Sequence, residues 1–508
     1  MLSALLILVG VVLAILYLCT RPRKNLPPGP KPLPILGNIR DMPDGITPEY
    51  QHWIKFKDLY GPISHVSIFG QSLIILHDRD AANSILEKTS TKTSGRPQFI
   101  FGNEMCGYSQ ILSFKPYGKM FKQHRKLVHQ QLGTKAAASR FRDVQDVESR
   151  RLLLRILDSP ENLSTHIKTE ASAIILKMTY GYILEPHKPD PLALLIEQMM
   201  HNFSLAFVPM SWPVDILPIL RYFPESLPGM SFKRIARGWN ANMRKVVDVP
   251  YKFVRQQMTK QSHRPSYVSS LVKQYDNGGE VLDTDSESAI KGTMLLFPDV
   301  QRKAQQEIDT IVGIERLPHF EDRENLPYVN ALIKETLRWI PVTPMGVVHT
   351  ADEDIHYKEF VIPKGESFLP ATWWFLHDPD IYPDPSSFDP DRYLEPRNEP
   401  NPDLASFGFG RRVCPGRFLA DESLFITISR LLAAFKIKKA VDLQGNEIEP
   451  GISIMPGMIG HIRDFPYEIK PRSEKYAGMI RRVEVEHPWE QGDARFLQEE
   501  LSLQSAEA

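Results

Sequence analysis

The chain has 508 residues, and 61 lysines and arginines balance 61 aspartates and glutamates, so the formal net charge is zero. This balance argues against a nucleic-acid binder held by bulk charge. Hydrophobic residues make up 42% and charged residues 24%, which is a globular composition and excludes a disordered chain. Three cysteines, Cys19, Cys106 and Cys414, are too few for a disulfide framework and indicate a reducing compartment.

The first twenty residues form the first predicted element. Residues 1–20 carry no charge and are continuously apolar at their centre. Twenty helical residues at about 1.5 Å each span about 30 Å, the thickness of a hydrocarbon core. Arg21, Arg23 and Lys24 follow, so the positive-inside rule places the rest of the chain in the cytosol. We expect a membrane anchor, because a cleaved signal peptide would have a basic start and a small-residue cleavage site.

A proline-rich stretch follows the anchor. Proline restricts its own backbone and that of its predecessor, so residues 21–34 are predicted to be a stiff, extended linker. Beyond the linker there is no internal repeat and no clear domain boundary. Residues 35–480 are therefore predicted to form one large domain.

The elements of this domain are mainly helical. Residues 65–76 predict a β-hairpin with its turn at Gly70 and Gln71, and residues 360–368 suggest short strands. Five prolines between residues 209 and 228 indicate a loop-rich connection. Helical periodicity marks the segments 121–132, 150–157, 298–312 and 327–340. The pattern predicts a mainly α fold with small β-sheets.

The stretch with the most chemical information is residues 407–416, Phe-Gly-Phe-Gly-Arg-Arg-Val-Cys-Pro-Gly. Glycines on both sides of Cys414 let the backbone approach a flat partner closely. Backbone N–H groups of such a loop can stabilise a thiolate, and Arg412 can pair with a carboxylate. The alternative is a buried structural cysteine in a turn, the usual fate of a lone cysteine. A phosphate loop is excluded, because no Gly-Lys-Ser/Thr follows.

This loop resembles the haem-binding signature of the cytochrome P450 family. Phe407, Gly410, Arg412, Cys414 and Gly416 match its defining positions. The resemblance implies the cytochrome P450 fold, with Cys414 as the axial thiolate of a haem b iron and Arg412 beside the cofactor. Thiolate donation pushes electron density toward the iron and favours O–O cleavage.

A buried-charge motif of the family has a counterpart in residues 334–338. Glu335 and Arg338 resemble its Glu-x-x-Arg pair, and Arg392 resembles the third member. The three would clamp the haem loop from behind, and such charges tolerate burial only when paired. From the residues alone, a solvated ion pair on an amphipathic helix is the simpler interpretation.

Two further positions resemble partners of the haem propionates. Arg125 lies in a segment similar to the family's Trp-x-x-x-Arg helix, with Phe121 in place of the tryptophan. His349 resembles a second propionate partner. Without the family, His349 reads equally well as a surface histidine of a strand.

One element of the family is missing. The family carries a long central helix over the distal haem face, with an Ala/Gly-Gly-x-Asp/Glu-Thr motif that binds oxygen and relays protons. Only residues 288–296 are available for it, whereas crossing a domain of about 50 Å takes about 30 helical residues. No catalytic residue is therefore assigned. We interpret the gap as an internal excision, by exon skipping or a mispredicted intron.

The resemblance implies a haem-thiolate monooxygenase that inserts one atom of O₂ into an apolar small molecule. Residues 212–234 look like the fungal microsomal branch of secondary metabolism, so we expect a single-pass protein of the endoplasmic reticulum membrane with a cytosolic catalytic domain. Electrons would come from NADPH–cytochrome P450 reductase, steered by Lys122, Lys126, Arg411 and Arg417.

Two alternatives follow from the missing helix. The chain would be either a haem-binding pseudoenzyme or a peroxide-driven haem enzyme that dispenses with the proton relay. Residues 481–508 lie beyond the usual end of the family and are predicted to be a mobile tail.

Overall fold

The computed structural model describes residues 25–260, 263–275, 297–451 and 453–497. The predicted anchor, residues 1–20, lies outside these ranges, and so do residues 288–296 at the predicted gap. Within the described ranges, no helix is both long enough and apolar enough to cross a membrane.

Helices dominate the described ranges, as the sequence predicts. Those of eight or more residues are α1 (Glu49–Tyr60), α2 (Lys119–Leu132), α3 (Arg142–Asp158), α4 (Leu163–Tyr180), α5 (Pro191–Ala206), α6 (Phe232–Met258), α7 (Tyr267–Tyr275), α8 (Pro298–Ile311), α9 (Pro327–Trp339), α10 (Arg417–Ala434) and α11 (Glu474–Arg481). The shorter α-helices are Arg79–Ala82, Lys135–Ala138, Pro213–Ile216, Thr372–His377, Asp403–Ser406 and Val483–Glu486.

The ends of these helices follow from local chemistry. Proline opens α5, α8 and α9, because the first helical position needs no backbone N–H donor. Gly181 ends α4 with a left-handed backbone at φ 67°, which satisfies the last carbonyl groups. The predicted boundaries of α2, α8 and α9 differ from the observed ones by one or two residues.

The strands form small sheets. They are β1 (Ile63–Ile68), β2 (Gln71–Leu76), β3 (His349–Thr350), β4 (Ile355–Tyr357), β5 (Phe360–Ile362), β6 (Ser367–Pro370), β7 (Phe435–Lys439) and β8 (Tyr467–Pro471). The largest sheet has the order β1-β2-β6-β3, and β4–β5 and β7–β8 are antiparallel pairs.

The predicted hairpin is β1 and β2, which pair Ile63 with Leu76 and Ile68 with Gln71. The two turn residues are Phe69 and Gly70, one position earlier than expected, and both have positive φ angles, 45° and 84°. Turns of this hand match the twist of the flanking strands.

Residues 25–34, the described part of the predicted linker, pack against this hairpin. The N–H of His65 donates to the carbonyl of Pro28 at 2.9 Å. A Cβ atom on Gly29 would lie 1.8 Å from the carbonyl oxygen of His65, so only glycine allows this approach. The described part of this stretch forms no helix, and it is attached to the domain surface.

The two largest of the five hydrophobic cores among the described residues position the site. One surrounds the β1–β2 hairpin together with the aromatic residues of segments 99–114 and 199–246. The other surrounds α10, which is buried along most of its length and packs against α3, α8 and α9. Cys414 stands three residues before α10, so the cysteine loop is fastened to the second core.

Residues 481–497 do not form the mobile tail that the sequence predicts. Leu497 is buried, and the carboxylate of Asp493 accepts the N–H of Ile183 at 2.8 Å and pairs with Arg264 at 2.5 Å. The sequence of residues 481–497 does not reveal these contacts, because Ile183 and Arg264 lie more than 200 positions away from Asp493. Residues 498–508 lie outside the described ranges.

We expect Trp489→Ala to lower the free energy of unfolding by about 2–4 kcal/mol. The indole contacts the guanidinium groups of Arg151 and Arg155, at 4.8 and 5.1 Å from its ring centroid, and truncation would remove both contacts. The matched control is Val485→Ala, because Val485 in the same segment is 83% exposed. Denaturant unfolding measures both variants, and equal midpoints would contradict the docked position of this segment.

Candidate active site

Cys414 lies in a loop between a helical turn at Gly410–Arg412 and α10. Its N–H donates to the carbonyl of Phe407 at 2.8 Å, which closes the loop. Gly410 has φ 54°, and a Cβ atom there would lie 2.6 Å from the carbonyl oxygen of Leu86. This glycine is therefore required by both backbone conformation and space.

The Cys414 loop borders a cavity of about 290 Å³. Its walls are largely apolar and come from loops and helices far apart in the sequence; they include Phe114, Phe203, Leu337, Val347, Met458 and Ile459. Glu170 of α4 is the one carboxyl group among the described residues that line it. Burial raises the pKa of Glu170 to about 7, and its Oε1 accepts a hydrogen bond from Thr427 Oγ1 at 2.7 Å.

Three guanidinium groups border the same cavity: Arg96 and Arg412 are buried, and Arg125 is half-buried. Arg412 donates through Nε to the carbonyl of Ser94 and lies 3.8 Å above the ring centroid of Phe121. Arg125 donates to the carbonyl of Val413, the residue before Cys414. Phe121, at the position where the family has tryptophan, therefore supports Arg412 through its ring face.

The third guanidinium belongs to Arg96, which the sequence analysis missed. It donates to the carbonyls of Val348 at 2.7 Å and Ser113 at 2.9 Å, and thereby joins two distant segments. Arg96 stands between glycine and proline in a loop, where no periodicity marks a buried face. Its role follows only from the contacts across 252 residues.

His349 lies in β3 beside these arginines and is buried. Its Nδ1–H donates to the carbonyl of Thr93 at 2.8 Å, because a carbonyl oxygen can only accept. Burial, followed by the like charge of Arg96, holds the pKa of His349 well below its usual range. A neutral imidazole that carries its proton on Nδ1 has none on Nε2, so a hydrogen bond from Nε2 to a carboxylate requires a second proton.

The charge of this cluster fits an anionic cofactor. Burial and the neighbouring Arg125 lower the pKa of Arg412 to about 10, and burial and Arg412 lower that of Arg96. Among the described residues, no carboxylate forms an ion pair with Arg96, Arg125 or Arg412. Buried cations without a counter-charge are unfavourable. A haem would supply two propionates for this cluster, and Cys414 would supply the thiolate ligand.

Glu335, Arg338 and Arg392 are 0%, 0% and 1% exposed. Arg338 donates to both oxygens of Glu335, at 2.7 and 2.8 Å, and Arg392 donates to Oε1 at 3.2 Å. Tyr393 and the N–H of Asp389 complete the shell of Glu335. The simpler interpretation, a solvated ion pair on α9, is therefore wrong.

This cluster is linked to the cysteine loop. The other donors of Arg338 reach carbonyl groups of the segment 376–387. Those of Arg392 reach carbonyl groups of the same segment and the carboxylate of Glu399 at 3.2 Å. The hydroxyl of Ser406 donates to the carbonyl of Leu337. This hydrogen bond joins the turn of α9 that carries Glu335 and Arg338 to the residue just before the loop 407–416.

Comparison with protein families identifies this architecture. The cytochrome P450 family model matches residues 27–297 and residues 292–461. Together the two matches cover most of the chain, and they meet at residues 292–297, beside the predicted gap.

Curated fungal proteins are similar over nearly the whole chain. Cytochrome P450 monooxygenase CLM2 of Gibberella zeae is 52% identical, with 99% of each chain covered. Multifunctional cytochrome P450 monooxygenase af510 of Aspergillus fumigatus is 45% identical over 93% of this chain and 94% of its own. O-methylsterigmatocystin oxidoreductase of Aspergillus flavus is 36% identical over 93% of this chain and 92% of its own.

The alignment with CLM2 also bears on the gap. It covers 526 positions, whereas this chain has 508 residues, so at least 18 aligned positions have no residue here. With these matches and the cavity beside Cys414, the chain belongs to the cytochrome P450 family, among the fungal cytochrome P450 monooxygenases.

Proposed function

We propose that this protein oxidises an apolar small molecule of secondary metabolism, using haem b held by Cys414 and electrons from NADPH–cytochrome P450 reductase. The observation that carries the proposal is the cavity of Cys414, whose lining combines largely apolar walls with Arg96, Arg125 and Arg412. Cytochrome P450 enzymes generally use a reductase partner and hydrophobic substrates. A bound haem supplies oxygen activation through its thiolate-ligated iron.

The chain's own residues have separate tasks in this proposal. Arg96, Arg125 and Arg412 hold the propionates, because their charge has no counter-ion among the described residues. The aromatic rings of Phe114 and Phe203 exclude water and orient an apolar substrate. Glu335, Arg338 and Arg392 keep the loop of Cys414 in place.

The surface around the cysteine loop suits an acidic redox partner. Lys122 and Lys126 of α2 are exposed, and so is Arg411 of the loop. Arg417, at the start of α10, is half-buried and lies against Phe418. Complementary charge accelerates encounter between partners and is screened by salt. Residues 1–20 anchor the protein in the endoplasmic reticulum membrane in this proposal, with the catalytic domain in the cytosol.

The gap remains part of the proposal. The two family matches meet at residues 292–297, and the longer alignment with CLM2 supports an internal loss of residues. The active enzyme therefore contains additional residues between Glu287 and Phe297, which supply the oxygen-binding helix. The relatives are named as monooxygenases, and nothing in the comparisons supports a pseudoenzyme.

Sequencing of full-length transcripts tests the gap directly. We expect a longer form across the codons for residues 287–297. If every transcript reproduces the junction of the present chain, the excision hypothesis is wrong.

A carbon-monoxide difference spectrum of reduced membranes tests the function. We expect the red-shifted Soret band of thiolate-ligated haem from a form with the additional CLM2 residues inserted at the junction, together with NADPH- and reductase-dependent oxidation. Absence of the band from that form would overturn the proposal. Oxidation supported by peroxide and not by the reductase would replace it with the peroxide-driven alternative.

A further inference from the structure

The stretch Trp212-Pro213-Val214-Asp215 forms a contact that the proposed reaction does not explain. Asp215 lies in the short helix Pro213–Ile216, and its side chain is buried. Its Oδ1 accepts the N–H of Phe101 at 2.8 Å. This N–H lies at the start of the helical turn Ile100–Met105, where backbone N–H groups have no partner within the turn itself.

Aromatic stacking reinforces the contact. The indole of Trp212 stacks on the ring of Phe101, with a centroid distance of 3.6 Å and an interplanar angle of 11°. Trp212 is itself held by a hydrogen bond from Nε1 to the carbonyl of Leu205 at 3.0 Å. The carbonyl of Asp215 accepts Gln71 Nε2 at 2.9 Å, which ties the stretch to the tip of the β1–β2 hairpin.

Residues 99–106, which we call the roof segment, lie against the wall of the cavity. Phe99 packs against Phe207 at 5.9 Å, and Phe207 stacks on Phe114 at 3.6 Å. A Cβ atom on Gly102 would lie 2.9 Å from the ring of Phe207. Phe114 and Phe203 line the cavity of Cys414, so a shift of the roof segment changes the shape of this wall.

We propose that Trp212 and Asp215 are positioning residues that hold the roof segment against the aromatic wall of Phe114, Phe203 and Phe207. They thereby set how readily the cavity opens to an apolar substrate. The inference rests on the proposed function of this cavity as the substrate site. It requires no contact of Trp212 or Asp215 with the substrate.

The other polar contacts of the roof segment contribute less to its position. Glu104 pairs with Arg221 at 3.0 Å, but both side chains are exposed, and such pairs contribute little. Asn240 of α6 donates to the carbonyl of Met105 at 3.1 Å, at the far end of the turn. Asp215 therefore supplies the buried hydrogen bond at the end nearest Phe99.

Opening of the roof segment should also depend on pH. Burial raises the pKa of Asp215 to about 7, and Glu104 adds to the shift. The titratable groups that face it are Glu104 and Cys106, whose thiol pKa is raised by burial, while the hairpin contributes the neutral Gln71. The closed state therefore binds the proton of this carboxyl group more tightly than the open state does. Raising the pH from about 4 to about 7 shifts the equilibrium toward the open state.

Hydrogen–deuterium exchange of the purified chain tests the fastening without any cofactor. We expect Trp212→Ala and Asp215→Ala to accelerate exchange of the backbone amides of residues 99–106 at least ten-fold, with unchanged exchange in α9 and α10. The isosteric Asp215→Asn should accelerate this exchange less. In the unaltered protein, exchange of residues 99–106, corrected for intrinsic rates, should increase several-fold between about pH 5 and about pH 8, and Asp215→Asn should abolish that increase. The matched control is Glu104→Gln, which should leave exchange unchanged at about pH 5, where Asp215 is protonated and the charge of Glu104 does not affect it.

The result that overturns the inference is unchanged exchange of residues 99–106 in both alanine variants, or an increase of the same size throughout the chain. A second experiment measures how fast ligands enter the cavity. It uses the haem-loaded form with the additional CLM2 residues inserted at the junction, which we call the helix-restored form. We expect 4-phenylimidazole to bind several-fold faster to Asp215→Asn, while the smaller imidazole binds at an unchanged rate. Equal rates for 4-phenylimidazole would refute the effect on the cavity. Failure of every form to take up haem would refute the proposed function alone. The hydrogen–deuterium exchange of residues 99–106 would still test whether Trp212 and Asp215 hold the roof segment.

Discussion

Replacement of Arg338 with leucine should lower the free energy of unfolding by about 3–5 kcal/mol, since it leaves Glu335 buried with an incomplete set of partners. Glu335 is 0% exposed and receives both of its shortest side-chain hydrogen bonds from Arg338. Arg392 remains beside it at 3.2 Å but cannot replace a bidentate pair. Glu335→Gln should cost a similar amount, because it leaves two buried guanidinium groups facing an amide. Denaturant unfolding measures both losses.

The chain contains a matched control for this cluster. Arg316 also makes a bidentate pair, with Asp322 at 2.6 and 2.7 Å, but its side chain is 43% exposed. Arg316→Leu should therefore cost about 1 kcal/mol or less. Equal losses for Arg316→Leu and Arg338→Leu would mean that burial does not decide the value of these pairs.

Replacement of Cys414 with alanine should abolish the red-shifted band of the carbon-monoxide difference spectrum. Its loop borders the cavity, and thiolate ligation produces that band. The measurement uses reduced membranes that contain the helix-restored form, so that loss of the thiolate is the one difference between the variants. Haem retained through another ligand would give a band at a shorter wavelength.

Cys106 provides the matched cysteine. It is fully buried in the aromatic core, and burial raises its thiol pKa, so it stays protonated and acts as a small apolar side chain. Cys106→Ala should keep the red-shifted band. Persistence of the band in Cys414→Ala, or its loss in Cys106→Ala alone, would assign the ligand to a different thiol.

Motifs defined by neighbouring residues were predictable from the sequence, whereas contacts between distant segments were not. The loop of residues 407–416 was predictable, because the glycines that shape it stand within a few positions of Cys414. The hairpin β1–β2 and the helices α2, α8 and α9 were predictable for the same reason, since alternation and helical periodicity are properties of short windows. The turn of the hairpin was misplaced by one residue, because neighbouring positions carry the same turn signal.

The candidate site was predictable only in part. Arg125, His349, Arg412 and Cys414 were assigned through the resemblance, and the structure places all four around one cavity. Arg96 was missed, because its partners Ser113 and Val348 lie in other loops. The docking of residues 481–497 was also missed, because Ile183 and Arg264 approach Asp493 only in the folded chain.

The sequence by itself determined the family, the thiolate loop and the mainly helical architecture, because these depend on residue types at short, regular spacings. The tertiary structure decided which charges are buried: the amphipathic pattern of α9 suggested that Glu335 and Arg338 face water, yet both are enclosed. It also decided that Trp212 and Asp215 hold residues 99–106 over the cavity wall. Burial and partnership depend on which distant segments meet, and this is a property of packing that no short window of sequence contains.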